Sequence, residues 1–148
     1  MERQVKSHAL TMRVMKYAVV GSALLLAFVA IKVSVQPGPP VSHQFQLIIA
    51  FLGLMSLAAG FLVPPLVAQT AQRTVQRGSA EAQLQLWTMK GVLSLAFFEA
   101  CILFGLMLHF LHGSVRLVGF LFAAGMVAEL IWNPGEPPGT RSDGFPQG

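Results

Sequence analysis

Charge is scarce in this chain of 148 residues. Only 11% of its residues are charged, whereas 54% are hydrophobic. A soluble domain of this size needs a more polar surface, so the composition excludes that class and predicts an integral membrane protein with one compact domain. Cysteine is equally scarce, because Cys101 is alone, and this excludes a disulfide framework or a cysteine metal site.

Motifs of enzymatic chemistry are also missing. The sequence contains no phosphate-binding loop, no nucleophile elbow and no zinc motif. We therefore expect no catalytic activity of the chain's own, no cofactor and no metal.

Long apolar runs dominate what is present. They predict four membrane-spanning segments, at about 17–35, 44–68, 83–111 and 115–132. Each is read as a helix, because lipid leaves no partner for an unpaired backbone group, and the alternating strands of an outer-membrane barrel are absent. The predicted fold is an all-α, multi-pass membrane protein, with the first segment retained rather than cleaved as a signal peptide.

Basic residues cluster at the two ends and in the middle of the chain. Four lie in residues 1–16, and Arg73 and Arg77 lie in the loop between the second and third spans. The positive-inside rule then places both termini and the 70–82 loop in the cytoplasm. The expected location is a bacterial inner membrane. On this reading the positive charge marks topology, so the expected partner is the lipid bilayer and not nucleic acid. Residues 1–16 form a leader, 17–132 the transmembrane domain, and 133–148 a Pro/Gly-rich tail.

Glu99 lies near the middle of the third run, whose other charged residue, Lys90, is close to its start. A charged carboxylate at the bilayer centre costs about 2.5–3.5 kcal/mol on insertion scales. Glu99 is therefore predicted to be protonated, paired or functional, and it is the candidate ion-binding residue.

Small residues recur on one face of the second and third spans. They predict helix-packing stripes, formed by Gly53, Ser56 and Gly60 and by Ser94, Cys101 and Gly105. At about 100° per residue, Glu99 points away from the second stripe. We expect the two stripes to pack on each other while Glu99 faces lipid or another subunit.

The remaining polar residues of the spans lie near their ends. Glu129 lies three residues before Trp132, near the end of the fourth span, and is interpreted as an interfacial residue that reaches the headgroups. His43, His109 and His112 lie at the predicted outer ends, where hydrogen bonds to headgroups or water are favoured over a metal or haem site.

The run from Gly91 to Leu111 has a recognisable pattern around its glutamate. It resembles the carboxylate-bearing helix of the proteolipid (c) subunit of rotary ATP synthases, and the resemblance covers about residues 47–111. The matching residues are Leu95, Ala96, Phe97, Glu99, Ala100, Leu103, Phe104, Gly105 and Leu106. Arg77 stands for the basic residue of the cytoplasmic loop. The resemblance implies that Glu99 binds a proton or a sodium ion and that several copies or other membrane subunits assemble.

Two functions therefore stay open from the sequence. The first is proton or sodium translocation through the Glu99 carboxyl. The second is a structural or accessory membrane protein in which Glu99 is a neutral helix-packing group.

Overall fold

The computed structural model describes residues 2–33, 38–39, 41–75 and 80–138. These residues form four α-helices and no strand: α1 (Glu2–Lys32), α2 (His43–Val75), α3 (Ala80–Phe110) and α4 (Val115–Ile131). The predicted all-helical class is confirmed. Arg77 and residues 139–148 of the predicted tail lie outside the described residues.

Three helices are long and apolar enough to cross a membrane, over Val5–Lys32, His43–Ala71 and Ala80–Phe110. This agrees with the predicted integral membrane protein. The fourth helix is shorter, because its 17 residues rise only about 25 Å. A hydrocarbon core is about 30 Å thick.

The bundle is organised around α3, which packs against all three other helices. Among the described residues α1 and α2 do not touch, and α4 contacts both. Residues 8 and 22 of α1 pair with residues 88 and 99 of α3, so these two helices run in the same direction. Residues 56 and 46 of α2 meet residues 97 and 114, which makes α2 antiparallel to α3.

The small residues of α2 lie against α3. Ser56 Oγ donates a hydrogen bond to the Phe97 carbonyl at 3.1 Å. A Cβ at Gly60 would collide with the Phe98 ring, and one at Gly53 would lie 3.3 Å from Phe104 Cβ. Close approach of the two backbones therefore depends on these glycines.

The small residues of α3 lie mainly against α4 rather than α2, contrary to expectation. Cys101 Sγ donates to the Leu121 carbonyl at 3.6 Å, and a Cβ at Gly105 would be 3.0 Å from Phe122. Ser94 is also buried. Periodicity indicates which residues share a face, but it does not say which neighbour that face meets.

The basic leader is part of the bundle. The α1 helix begins at Glu2, and Met12 is buried in an apolar cluster with Leu95, Phe98, Ala128 and Trp132. Lys16 Nζ donates to the carbonyls of Leu130 at 3.0 Å and Trp132 at 2.7 Å. These bonds satisfy backbone groups that the end of α4 would otherwise leave unpaired.

A Schellman turn joins α3 to α4. Gly113 N donates to the Leu108 carbonyl at 2.8 Å, and His112 N donates to the His109 carbonyl at 3.2 Å. His112 has φ of 57° at the position that glycine usually occupies. Gln46 of α2 ties this turn to the bundle, because its side-chain oxygen accepts a hydrogen bond from Ser114 N at 3.0 Å.

Candidate ion-binding site

Glu129 is the most deeply buried ionisable residue of the site. Its side chain has an exposed fraction of 0%, and neither of its carboxyl oxygens receives a hydrogen bond from a donor in the part of the chain that the structure describes. The prediction that Glu129 reaches lipid headgroups is therefore wrong. Proximity to the end of α4 suggested the interface, but α1 and α3 extend past that end and cover the residue.

Glu99 faces inward, toward α1. Its Oε1 lies 2.8 Å from the hydroxyl of Ser22, and its Oε2 is buried with no hydrogen-bond donor. The expectation that Glu99 faces lipid or another subunit is wrong for this protomer. The reason is that α1 lies along this face of α3 and places Ser22 opposite Glu99.

Ser22 offers one proton to two acceptors. Its Oγ lies 2.8 Å from Glu99 Oε1 and also 2.8 Å from the Val19 carbonyl. A hydroxyl has a single hydrogen to donate but can also accept. If Glu99 carries a proton, the acid donates to Ser22 and Ser22 donates to Val19, so both short contacts become hydrogen bonds. If Glu99 is ionised, only one of the two contacts can be a hydrogen bond.

The carboxyls of Glu99 and Glu129 interact directly with each other. An ionised carboxylate is only an acceptor, so two ionised groups in contact would share no hydrogen bond and would repel each other. One proton between them converts the contact into an acid–carboxylate hydrogen bond. Other buried carboxyl pairs share a proton in this way.

Lys16 of α1 lies at the end of α4. Its ammonium contacts the carbonyls of Leu130 and Trp132, which are one and three residues after Glu129 in the chain. The nearby apolar cluster, which includes Leu95 and Ala128, excludes water from this side of the pair. Burial away from water makes two negative charges side by side unfavourable.

The three histidines considered for a metal or haem site do not form a cluster in the structure. Gly38 N donates to His112 Nε2 at 3.2 Å, whereas His109 Nε2 is buried with no hydrogen-bond partner. Within the part of the chain that the structure describes, no three His, Cys, Asp or Glu side chains converge on a point where a metal could bind.

Sequence reasoning missed two members of the site, Glu129 and Ser22. The available signal for Glu129 was that it is the only acidic residue in the fourth apolar run. Ser22 carried a weaker signal, as a small polar residue in an otherwise apolar stretch. Linking them to Glu99 required knowledge of which helices are neighbours.

Comparison with protein-family models, with curated proteins and with solved structures gives no match.

Proposed function

We propose that this integral membrane protein binds a proton at the Glu99–Glu129 pair and passes it across the bilayer. The observation that carries the proposal is the state of Glu129, a fully buried carboxyl that has no hydrogen-bond donor and lies beside a second carboxyl. Ionisable groups inside a membrane bundle are costly and typically mark ion pathways.

Three side chains take part in the proposed proton binding. Glu129 and Glu99 hold the proton between them, and Ser22 offers a hydroxyl that either donates to Glu99 or accepts from it. Uptake of one proton removes the repulsion between the carboxylates. Release restores it, so release requires water or a basic partner to reach the pair. Sodium is the alternative ion, because carboxylate and hydroxyl oxygens are ligands that hard cations prefer.

The resemblance of residues 47–111 to the proteolipid helix supports an ion-binding role for Glu99. In this proposal the second carboxyl comes from the same chain. Both termini lie in the cytoplasm, and the membrane is a bacterial inner membrane. The exposed apolar side chains, such as Phe28 and Leu62, contact lipid, further copies of the chain or other membrane subunits.

The decisive measurement is proton flux into vesicles that contain the purified protein, driven by a potassium diffusion potential and followed with an internal pH-sensitive dye. We expect Glu99→Gln and Glu129→Gln each to reduce the flux to that of empty vesicles. Glu81→Gln is the matched control, because Glu81 is an exposed acid on α3, the helix that carries Glu99. Wild-type flux equal to that of empty vesicles would refute the proposal.

A hydrophobic carbodiimide tests the protonation state independently. It reacts with protonated carboxyls from the lipid phase, so the wild-type protein should be labelled at Glu99 or Glu129 and the double glutamine variant should not. Protection by sodium chloride but not by potassium chloride would identify sodium as the bound ion. Equal labelling in both salts would identify the proton.

A structural role is the second candidate, favoured by the hydrogen bond between Ser22 and Glu99 that joins α1 to α3. In that case the glutamine variants would lower the thermal stability, and the wild-type protein would conduct no protons. The flux measurement separates the two functions, because only the first requires conduction.

A further inference from the structure

The Trp132 side chain lies on the side of the carboxyl pair that faces the start of α3. Its ring meets Phe98 edge-on at a centroid distance of 6.5 Å, and a Cβ at Gly91 would be 3.3 Å from its Cη2. Gly91 precedes Glu99 by eight residues, which is a rise of about 12 Å along α3. The indole therefore covers the stretch of α3 that leads from this end of the bundle to Glu99.

Met12 of α1 completes this layer. It is 3% exposed and belongs to the same apolar cluster as Trp132. A Cβ at Gly91 would collide with Met12 Cε, so the methionine and the indole both rest on the backbone of α3 at this level. Apolar side chains from α1, α3 and the end of α4 thus meet at one place. Layers of this kind exclude water, and hydrophobic constrictions gate channels in the same way.

Trp132 is the first residue beyond α4, where its backbone is extended with φ of −66° and ψ of 133°. Two hydrogen bonds hold the segment that it begins. Lys16 Nζ donates to the Trp132 carbonyl at 2.7 Å, and Trp87 Nε1 donates to the Pro134 carbonyl at 3.1 Å. Gly135 follows with φ of 79°, which glycine adopts readily. Displacement of this segment would break these bonds but would leave α4 helical.

We propose that Met12 and Trp132 form a gate that closes the Glu99–Glu129 pair to water at the end of the bundle where α3 begins. The hydrogen bonds to the segment after α4 hold the gate shut. This inference rests on the proposed function, because it describes how protons reach that pair. The gate accounts for the full burial of Glu129, although α4 ends only two residues later. Proton exchange with this side of the membrane then requires the gate to open.

The reactivity of a buried thiol measures the gate without any proton flow. Glu129→Cys in a Cys101→Ala background places a thiol behind Trp132, and a cationic, membrane-impermeant methanethiosulfonate reports how readily it is reached from water. We expect slow modification from both sides of the membrane. Addition of Trp132→Ala should raise the rate at least roughly tenfold, because loss of the indole opens the layer. The increase should occur only from the side on which Glu81→Cys reacts.

Leu121→Ala is the matched control for a general loosening of the bundle. Leu121 is 0% exposed and belongs to the other apolar cluster, eight residues before Glu129 and therefore on the far side of the pair. This substitution should not accelerate modification from the gate side. Lys16→Met, which removes a hydrogen bond to the segment but keeps the indole, should give an intermediate rate. Equal acceleration by Trp132→Ala and Leu121→Ala, or none by Trp132→Ala, would overturn the gate.

Proton flux with both carboxyls intact distinguishes failure of the gate from failure of the proposed function. Trp132→Ala should conduct protons faster than the wild-type protein, and Trp132→Ala combined with Glu129→Gln should not conduct. Unchanged flux in Trp132→Ala, or flux that survives Glu129→Gln, would overturn the gate. A wild-type protein that conducts no protons but shows the one-sided thiol protection would refute the proposed function alone.

Discussion

At the scale of single residues, the site depends on how acceptors and protons are matched. Glu99 and Glu129 bring four carboxyl oxygens together, and Ser22 is the one hydroxyl in hydrogen-bonding contact with them among the described residues. The buried pair is thus short of donors. A bound proton supplies the missing donor, which is why the arrangement is better explained by ion binding than by packing alone.

Ser22→Ala tests this account of the hydroxyl. The substitution removes the one hydroxyl that contacts Glu99 among the described residues, so we expect the free energy of unfolding to fall by about 1–3 kcal/mol, together with a lower proton flux. Thermal unfolding and vesicle flux measure the two effects. Thr11→Ala is the control, because Thr11 is exposed and donates only to Ser7 of its own helix. Unchanged flux in Ser22→Ala would exclude Ser22 from proton transfer.

At the scale of helices, the basic leader acts as a cap. Lys16 of α1 reaches the carbonyl end of α4, where a positive charge also interacts favourably with the helix dipole. We expect Lys16→Met to lower the free energy of unfolding by about 1.5–3 kcal/mol, the range for hydrogen bonds to charged groups. The control Lys32→Met removes a cation that lies 5.9 Å from the Phe28 ring centroid, its one polar contact within the described ranges, and should cost less than about 1 kcal/mol. Chemical denaturation of both variants in the same detergent makes the comparison, and equal losses would contradict the capping role.

The bounds of α3 and α4 were predictable from the sequence, whereas the start of α1, the end of α2 and the neighbours of each helix were not. The apolar runs located α3 and α4 to within a few residues, because the length of an apolar run limits where a helix can cross lipid. The same runs placed the start of the first span after the leader. Polar residues such as Lys6 and Arg13 interrupt an apolar run even where the helix continues through them. The error at Glu99 has a different source, because Ser22 lies inside the predicted first span and the pattern does not show that α1 packs on the Glu99 face of α3.

At the scale of the whole molecule, the chain that follows the short fourth helix reaches the second turn of α3. After α4 ends at Ile131 the chain continues in extended form, and Trp87 Nε1 donates to the Pro134 carbonyl at 3.1 Å. Trp87 is in the second turn of α3. The rise of about 25 Å in α4 is thus completed by a few extended residues, and residues after Pro134 are expected on the same side of the membrane as the start of α3.

Single cysteines in a Cys101→Ala background test this arrangement and its orientation. Glu81→Cys and Glu136→Cys lie at the start of α3 and beyond α4, and Ser114→Cys lies in the turn between these helices, where its side chain makes no cap hydrogen bond. We expect a membrane-impermeant maleimide to label Ser114→Cys in intact cells, and Glu81→Cys and Glu136→Cys only in inverted vesicles, because the positive-inside rule places the basic ends in the cytoplasm. Labelling of Glu136→Cys and Ser114→Cys from the same side would mean that α4 does not cross. The Glu99–Glu129 pair would then lie against a re-entrant segment instead of inside a four-helix span.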